Sequence, residues 1–454
     1  MRICSPSVIR CSYSTRSKEV IMANKNKKAV KIKPINNFLL LFILSVFQIG
    51  TGYLSASCGE KFEFSALLAL LCLVAVEWIY LIFFYTVFHR RNFELELIAF
   101  FLSGVGLVTI GSVQPESAFK QFFMVLAGLF VFIFLVFLMG NVDLCMKLRP
   151  LVAIGAILFL FVNIVLGLLH KLNGAGNWIE IAGVRLQPSE FVKVAFIFVG
   201  AATLEKIQTS KNIILFIGFS VVCVGSLIVI RDLGTALIFF VTFLILAFMN
   251  SGDVKTIAAA LTGAGMGAAI LLKYRSYAMR RFSSYRHVFD DPYGNGMQQT
   301  RVLVGMASGG LFGLGIGNGY VRSTAYAPVS DSIFGIICEE WGLLFAILMI
   351  LSFVAIAISA IVNSVASRSA FYSIAAVAGA GLLLFQCALN VFGITDILPL
   401  TGVTIPFVSL GGSSMISSWG ILAFIKASDV RTYNYLSNRN IKRAQKAAGG
   451  AKRV

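Results

Sequence analysis

The sequence predicts an all-α protein that crosses a membrane many times. Three observations carry the prediction: 58% of the 454 residues are hydrophobic, 13% are charged, and the mean hydropathy is +0.87. A soluble domain has roughly 45–50% apolar and about 25% charged residues. Lipid is therefore the solvent for most of the chain, and the repeating unit is a helix of about 20 apolar residues with its backbone bonds satisfied internally. Soluble enzymes, disordered chains and disulfide scaffolds are excluded on the same grounds.

Apolar segments of spanning length fall at about 37–55, 65–88, 94–113, 119–140, 150–169, 190–205, 213–230, 234–250, 255–272, 333–362, 371–392 and 400–426, about twelve in all. With the N-terminus inside, His89-Arg90-Arg91, Lys147 with Arg149, Lys206 with Lys211, Lys255, Arg368 and the basic C-terminal tail all fall on the cytoplasmic side. An odd count would strand one basic tail outside, against the positive-inside rule. Both termini are therefore expected in the cytoplasm.

The net charge of +18 would suggest a nucleic-acid partner in a soluble protein, but residues 1–36 and 426–454 together hold +15 of it. Basic tails beside apolar segments are anchors at anionic lipid, and no aromatic-interleaved basic stripe accompanies them. No nucleic acid is expected. The eight cysteines are scattered and do not cluster with histidine at zinc spacing, so neither disulfides nor structural zinc are expected. Residues 1–21, Ser- and Arg-rich with Glu19 as their only acid, resemble a transit peptide. Met22-Ala-Asn-Lys opens an ordinary basic tail, and an over-extended start is the stronger reading.

One loop breaks the charge pattern. Residues 273–332, placed outside by this topology, carry Lys273, Arg275, Arg280, Arg281, Arg286, Arg301 and Arg322 against Asp290, Asp291 and Asp331. An outward basic cluster on a loop this long points to an anionic ligand, with solvated loop charge as the competing explanation. A second outward segment, 170–189, holds Asn173-Gly-Ala-Gly-Asn-Trp178 and Leu186-Gln-Pro-Ser-Glu190. Pro188, Ser189 and Glu190 suit a helix start, and Lys193 lies one turn on from Glu190. That pair is costly in a membrane unless bonded or wet, so a structural ion pair and a substrate role stand level. Asp331 sits where an apolar helix begins near Ser332, and helix capping alone would account for it. Glu339 and Glu340 fall about 12 to 14 Å further along that helix. The run Gly309-Gly310, Gly313, Gly315, Gly317, Gly319 lacks the Lys and Ser/Thr of a P-loop and is read as a place of close backbone approach.

Together these blocks resemble the SEDS family (shape, elongation, division and sporulation), which includes RodA and FtsW. The resemblance rests on Gly174–Ile179 with Gln187-Pro-Ser-Glu-Phe-Val-Lys193; on Asp232-Leu-Gly-Thr235; on Asp291–Gly296 through Gly309–Gly319 to Asp331-Ser-Ile-Phe334 and Glu339-Glu-Trp-Gly342; and on Leu398–Gly402 with Pro406-Phe-Val-Ser409-Leu-Gly411-Gly412-Ser-Ser414. The family core of ten spanning helices would then be residues 94–426, preceded by two extra helices in 37–93 and followed by a basic tail, 427–454. Departures are Asn177 for a usual Arg, Ala327-Pro-Val-Ser330 for Leu-Pro-Glu then His-Thr, Met297 and Arg301 for Tyr and Gln, and Leu410 for Tyr.

The resemblance implies a multi-pass peptidoglycan glycosyltransferase of the cytoplasmic membrane that polymerises lipid II on its outer face, in elongation, division or sporulation. It implies a class B penicillin-binding protein as partner, with other divisome, elongasome or sporulation membrane proteins. It carries the family's essential loop aspartate onto Asp331 as general base, and its cavity pair onto Glu190 and Lys193. Arg280, Arg281 and Arg286, with Lys193, are the candidate cations for the pyrophosphate. Trp178, Gln187, Pro188, Ser189, Asp232, Glu339, Glu340, Pro406, Ser409, Gly411 and Gly412 are expected to build the site. A divalent cation, Mg or Mn, is a candidate cofactor, although Asp290-Asp291 beside Pro292 is explained more cheaply by a turn. The competing functions are a flippase for lipid-linked precursors and a non-catalytic scaffold.

Overall fold

The computed structural model describes residues 36–59, 61–169, 179–181, 184–205, 210–252, 285–294 and 296–433, with isolated positions between 254 and 265. The chain divides after Leu40. Of the first unit only 36–40 is described, the opening of helix α1 (Asn37–Ala56), where Asn36 Oδ1 accepts from Phe38 N at 3.1 Å as an N-cap does. The rest of α1 and all that follows belong to the second unit, residues 41–454.

That unit is helical. It contains α2 (Phe64–Val87), α3 (Glu94–Val113), α4 (Ala118–Leu138), α5 (Val142–Leu169), α6 (Pro188–Leu204), α7 (Ser210–Val229), α8 (Leu233–Ser251), α9 (Met297–Gly309), α10 (Val321–Thr324), α11 (Ile333–Ile336), α12 (Leu343–Val365), α13 (Ala370–Ile394) and α14 (Gly412–Ser428). A two-stranded antiparallel hairpin, β1 (Ile179–Ile181) and β2 (Val184–Leu186), precedes α6. Helices α1 to α5, α12 and α13 are long and apolar enough to cross a membrane, and α7 and α8 hold shorter apolar stretches. The expected span at 255–272 lies almost wholly outside the described residues.

Two expected spans are corrected. Residues 333–362 are not one helix: α11 passes into a π turn (Ile337–Trp341) and stops at Gly342, φ 88°, before α12 starts. The glycine run supplies backbone partners across this break. Leu314 N and Gly315 N donate to the carbonyls of Glu339 and Glu340 at 2.9 and 3.0 Å, and Leu343 N donates to Gly310 O at 3.0 Å. A Cβ on Gly342 would collide with Leu311 O, so the close approach needs glycine. Backbone freed by the break is thus bonded within protein, as a lipid environment demands. Residues 400–426 are likewise not one helix; 400–411 are irregular around Pro406, and α14 begins at Gly412.

Helix α14 is the core. It is buried from Ser413 to Ser428, save for half-buried Ile416, and packs on α4, α13 and α6. A small residue on α4 permits the contact: Trp419 of α14 lies where a Cβ on Gly128 would be 2.7 Å away, ringed by Phe100, Phe132 and Phe407. Helices α1 and α2 seat on α3, where Ser55 Oγ donates to Val108 O at 2.8 Å, and they are joined to each other where Gln48 Nε2 donates to Glu77 Oε1 at 2.9 Å. At the Glu94 end of α3, buried Glu96 accepts from Arg90 at 2.7 Å and from Lys426 at 2.8 Å, joining the α2–α3 turn to α14.

Candidate active site

Asp331 lies in the turn between α10 and α11, half-buried, and Ser332 rather than Asp331 takes the N-cap position of α11. Capping therefore does not account for the aspartate. Its backbone is tied down on both sides. Asn390 Nδ2 on α13 donates to Asp331 O at 3.0 Å, Ser409 Oγ donates to Ser330 O at 2.7 Å, and Leu410 N donates to Val329 O at 2.8 Å. The carboxylate faces Gly402, an exposed residue at φ 68° whose added Cβ would stand 3.2 Å from Asp331 Oδ2. A side chain at 402 would press on the carboxylate, and glycine there avoids that contact.

The loop on the other flank is equally fixed. Glu339, fully buried, accepts from Tyr320 N and Val321 N at 2.8 Å each, closing a loop with Asp331 inside it. Gln298 Nε2 on α9 donates to Tyr326 O at 3.2 Å and to Ser332 Oγ at 2.9 Å, and Arg301 reaches Thr324 O. Ala327 and Phe407 hold positive φ, at 49° and 63°. Non-glycine residues persist there only where surroundings force them, and such strain gathers at functional sites.

A second cluster lies deeper. Lys193 Nζ donates to Glu190 Oε2 and to Gln386 Oε1, both at 2.8 Å; Ser417 Oγ donates to Glu190 Oε2 at 2.7 Å; all of these side chains are buried. Gln386 Nε2 in turn donates to Thr404 O at 3.0 Å, and Thr404 and Ser414 share a hydroxyl bond of 2.7 Å. Gln386 and Asn390 are one turn apart on α13, so a single helix face holds both Lys193 and the Asp331 backbone. Gln187 joins this cluster to α8, giving Nε2 to Asp232 Oδ2 at 2.9 Å while Asp232 Oδ1 caps α8 by accepting from Thr235 N. Gln187 N also donates to Ser413 Oγ at 3.2 Å.

Of the expected site residues, Gln187, Glu190, Lys193 and Asp232 share one network; Ser409 holds the backbone beside Asp331, and Glu339 closes the loop that carries it. Pro406 is buried beside Ser409, Gly411 takes the N-cap of α14, and Gly412 abuts Met124. Pro188 and Ser189, both buried, open α6. Glu340 is buried at the helix break rather than one straight helix along from Asp331. Exposed Arg286, φ 60°, donates its N–H to Asp396 Oδ1 at 3.2 Å, and Tyr285 OH donates to Ile397 O at 2.9 Å, which puts this cation beyond the same end of α13 that holds Asp331. Trp178, Arg280 and Arg281 lie outside the described residues. Among the described residues no three His, Cys, Asp or Glu side chains converge on a metal position. Sequence reading missed Gln386 and Asn390, whose signal was available: two amides four apart inside an otherwise apolar span.

Fold and site define a polytopic membrane protein that presents one carboxylate beside a buried polar network. The family model described as cell cycle protein, FtsW/RodA/SpoVE, matches residues 93–433, and the chain belongs to that family. It is a multi-pass protein of the cytoplasmic membrane. The peptidoglycan glycosyltransferase RodA of Mycobacterium tuberculosis is 27% identical over 351 residues, covering 71% of this chain and 75% of its own. The probable peptidoglycan glycosyltransferase FtsW of Buchnera aphidicola from Acyrthosiphon pisum is 29% identical over 353 residues, covering 73% and 87%. Two solved structures share the fold. One, described as a peptidoglycan synthase complex coordinating polymerization and crosslinking, aligns with TM-score 0.63 at 21% identity, over 74% of this chain and 96% of that one. The other, Thermus thermophilus rod shape determining protein RodA, aligns with TM-score 0.56 at 22% identity, over 74% and 95%.

Proposed function

We propose that this chain is a peptidoglycan glycosyltransferase that polymerises lipid II at the outer face of the cytoplasmic membrane, with Asp331 as general base. The observation that carries the assignment is Asp331 itself: an acid that does not serve as the cap of its helix, tethered through its backbone, with its carboxylate against an exposed glycine. In the reaction, the 4-hydroxyl of an acceptor GlcNAc attacks the anomeric carbon of a donor MurNAc. The hydroxyl proton passes to the Asp331 carboxylate as the new C–O bond forms. The bond to undecaprenyl pyrophosphate breaks, and its electron pair leaves on the phosphate oxygen. A positioned base at hydrogen-bond reach is worth roughly 10²–10⁴ in rate.

Arg286, with Arg280 and Arg281, is assigned to the growing pyrophosphate charge, since a guanidinium engages phosphate oxygens in pairs. Glu190 and Lys193 neutralise each other and fix the polar floor on which Gln386, Thr404 and Ser414 are set; they hold the site's shape. Similarity to a protein in a synthase complex that couples polymerization to crosslinking supports a class B penicillin-binding protein as partner, in elongation, division or sporulation. Both termini are assigned to the cytoplasm and residues 273–332 to the outside, on the distribution of basic residues. The test is polymerisation of labelled lipid II by the full chain with its partner in proteoliposomes. Wild type should yield glycan chains, and Asp331→Asn should yield none while melting normally. A wild type that moves lipid II between leaflets without ever joining it would establish the flippase instead.

A further inference from the structure

Helices α1 and α2 precede the residues that match the family, 93–433, yet they touch the parts of the protein that hold Asp331 in place. The first contact is at their connecting turn. Cys58 Sγ lies 3.1 Å from Ile316 O and 3.0 Å from Leu54 O. It also fills the space beside Gly317, where an added Cβ would collide with Sγ. Gly317 has φ +88°, so turn and loop meet at a residue whose backbone only glycine adopts without strain. Arg322 completes the joint, giving Nη1 to Gly317 O at 2.7 Å and Nη2 to Ser112 O at the end of α3. Arg322 follows Val321, whose N–H is held by Glu339, and belongs to the loop closed around Asp331.

The second contact is lower on α1. The Phe47 ring stands 5.9 Å from the rings of both Trp341 and Phe345, which stack on each other at 4.6 Å. Trp341 ends the π turn and Phe345 lies in the first turn of α12, on either side of Gly342. The hairpin therefore presses on the two backbones that bond across the break: the glycine run at Gly317 and the broken helix at Trp341. Burial raises the Cys58 thiol above its usual range against the opposing pull of Arg322, which keeps it a donor.

We propose that the α1–α2 hairpin is a positioning element for the loop that bears Asp331, acting through Cys58 on Gly317 and through Phe47 on Trp341. The effect on rate rests on the assignment of Asp331 as the base; the mechanical claim does not, and the test separates them. The full chain carrying Cys58→Trp is compared with wild type and with Cys58→Ser, which keeps a small donor. Cys58→Trp should slow lipid II polymerisation by about ten- to a hundredfold, the scale of a roughly 1 Å misplacement, with KM within about twofold. Amides of residues 314–322 should exchange several-fold faster with deuterium, and Cys58→Ser should match wild type in both readouts. Where the tryptophan prevents folding, Phe47→Leu is used, which keeps an apolar side chain but withdraws the ring from Trp341, and the same changes are expected. Normal exchange and normal kcat in the folded variant overturn the proposal. Faster exchange in a chain whose wild type never polymerises retains the positioning role and removes the enzyme assignment.

Discussion

Asn390 gives one amide nitrogen to two carbonyls, that of Asp331 at 3.0 Å and that of Val403 at 2.5 Å, and so pins the loop carrying the acid to the segment carrying Gly402. Only an NH2 group can serve both acceptors. Asn390→Asp, nearly identical in shape, would turn two acceptors toward an acceptor; leaving such buried groups unpaired costs about 1–3 kcal/mol. The expected outcome is a polymerisation rate reduced by roughly 10- to 100-fold, with Asn390→Ala less damaged because a water can enter. Single-turnover rates on the two variants decide the order, and an aspartate variant as fast as wild type would refute the pinning role.

Gly402 offers a sharper probe of the carboxylate. Its φ of +68° is costly for any side chain, and its added Cβ would stand 3.2 Å from Asp331 Oδ2. Gly402→Ala should lose about 1–3 kcal/mol of stability from backbone strain. Its loss of kcat should exceed what that accounts for, because the methyl group crowds the face from which a hydroxyl approaches. Parallel melting curves and initial rates in the same detergent give the comparison. Equal small losses in both would mean that the acid is not approached from this side.

The hydrophobic pattern made the helical architecture legible, because an apolar run of spanning length has one economical conformation in lipid. It concealed the break at Gly342, since Ile333–Ile337 and Leu343–Val365 are apolar on both sides and hydropathy does not register a single left-handed glycine. The partner of that break, Gly310 to Gly315, was visible as a glycine run whose purpose only the fold reveals. Asp331 was ambiguous in sequence between cap and base; the structure gives the cap position to Ser332. Lys193 was read beside the arginines as a cation for phosphate, whereas its ammonium is bonded to Glu190 and Gln386 inside the bundle. Spacing alone placed Glu190 and Lys193 on one face but could not bring in Ser417, which is 227 residues away.

Beyond the end of α14, Asp429 supplies a pH test. It accepts from Asn92 at 2.7 Å and pairs with Arg431 at 2.8 Å. Burial pushes its carboxyl up, yet the bonds from Arg431 and Asn92 outweigh that and leave it below the usual range. A depressed folded value means the stabilisation is fully present above the unfolded value, about 3.9, and is lost as pH falls through the lower folded one. Melting temperature should therefore fall on acidification below about pH 4, and Asp429→Asn should flatten that limb while lowering the neutral-pH plateau. A variant with an unchanged acid limb would assign the slope to other carboxylates.

The buried pair Glu190 and Lys193 separates structure from chemistry most cleanly. Removing one partner leaves the other charge uncompensated in the bundle, typically at about 3–5 kcal/mol, whereas replacing both with neutral residues of like volume is often close to neutral. Lys193→Met alone should thus melt well below wild type, Glu190→Gln alone likewise, and the double variant should recover most of the loss. Polymerisation then distinguishes the roles. If the pair only fixes the buried polar network, the double variant regains activity together with stability, because the amide introduced by Glu190→Gln can still accept from Ser417 and Gln386 keeps Thr404. If instead Lys193 must deliver its charge to the leaving pyrophosphate, the double variant is stable and inactive. The geometry, with two of the three ammonium N–H groups bonded at 2.8 Å inside the protein, favours recovery of both.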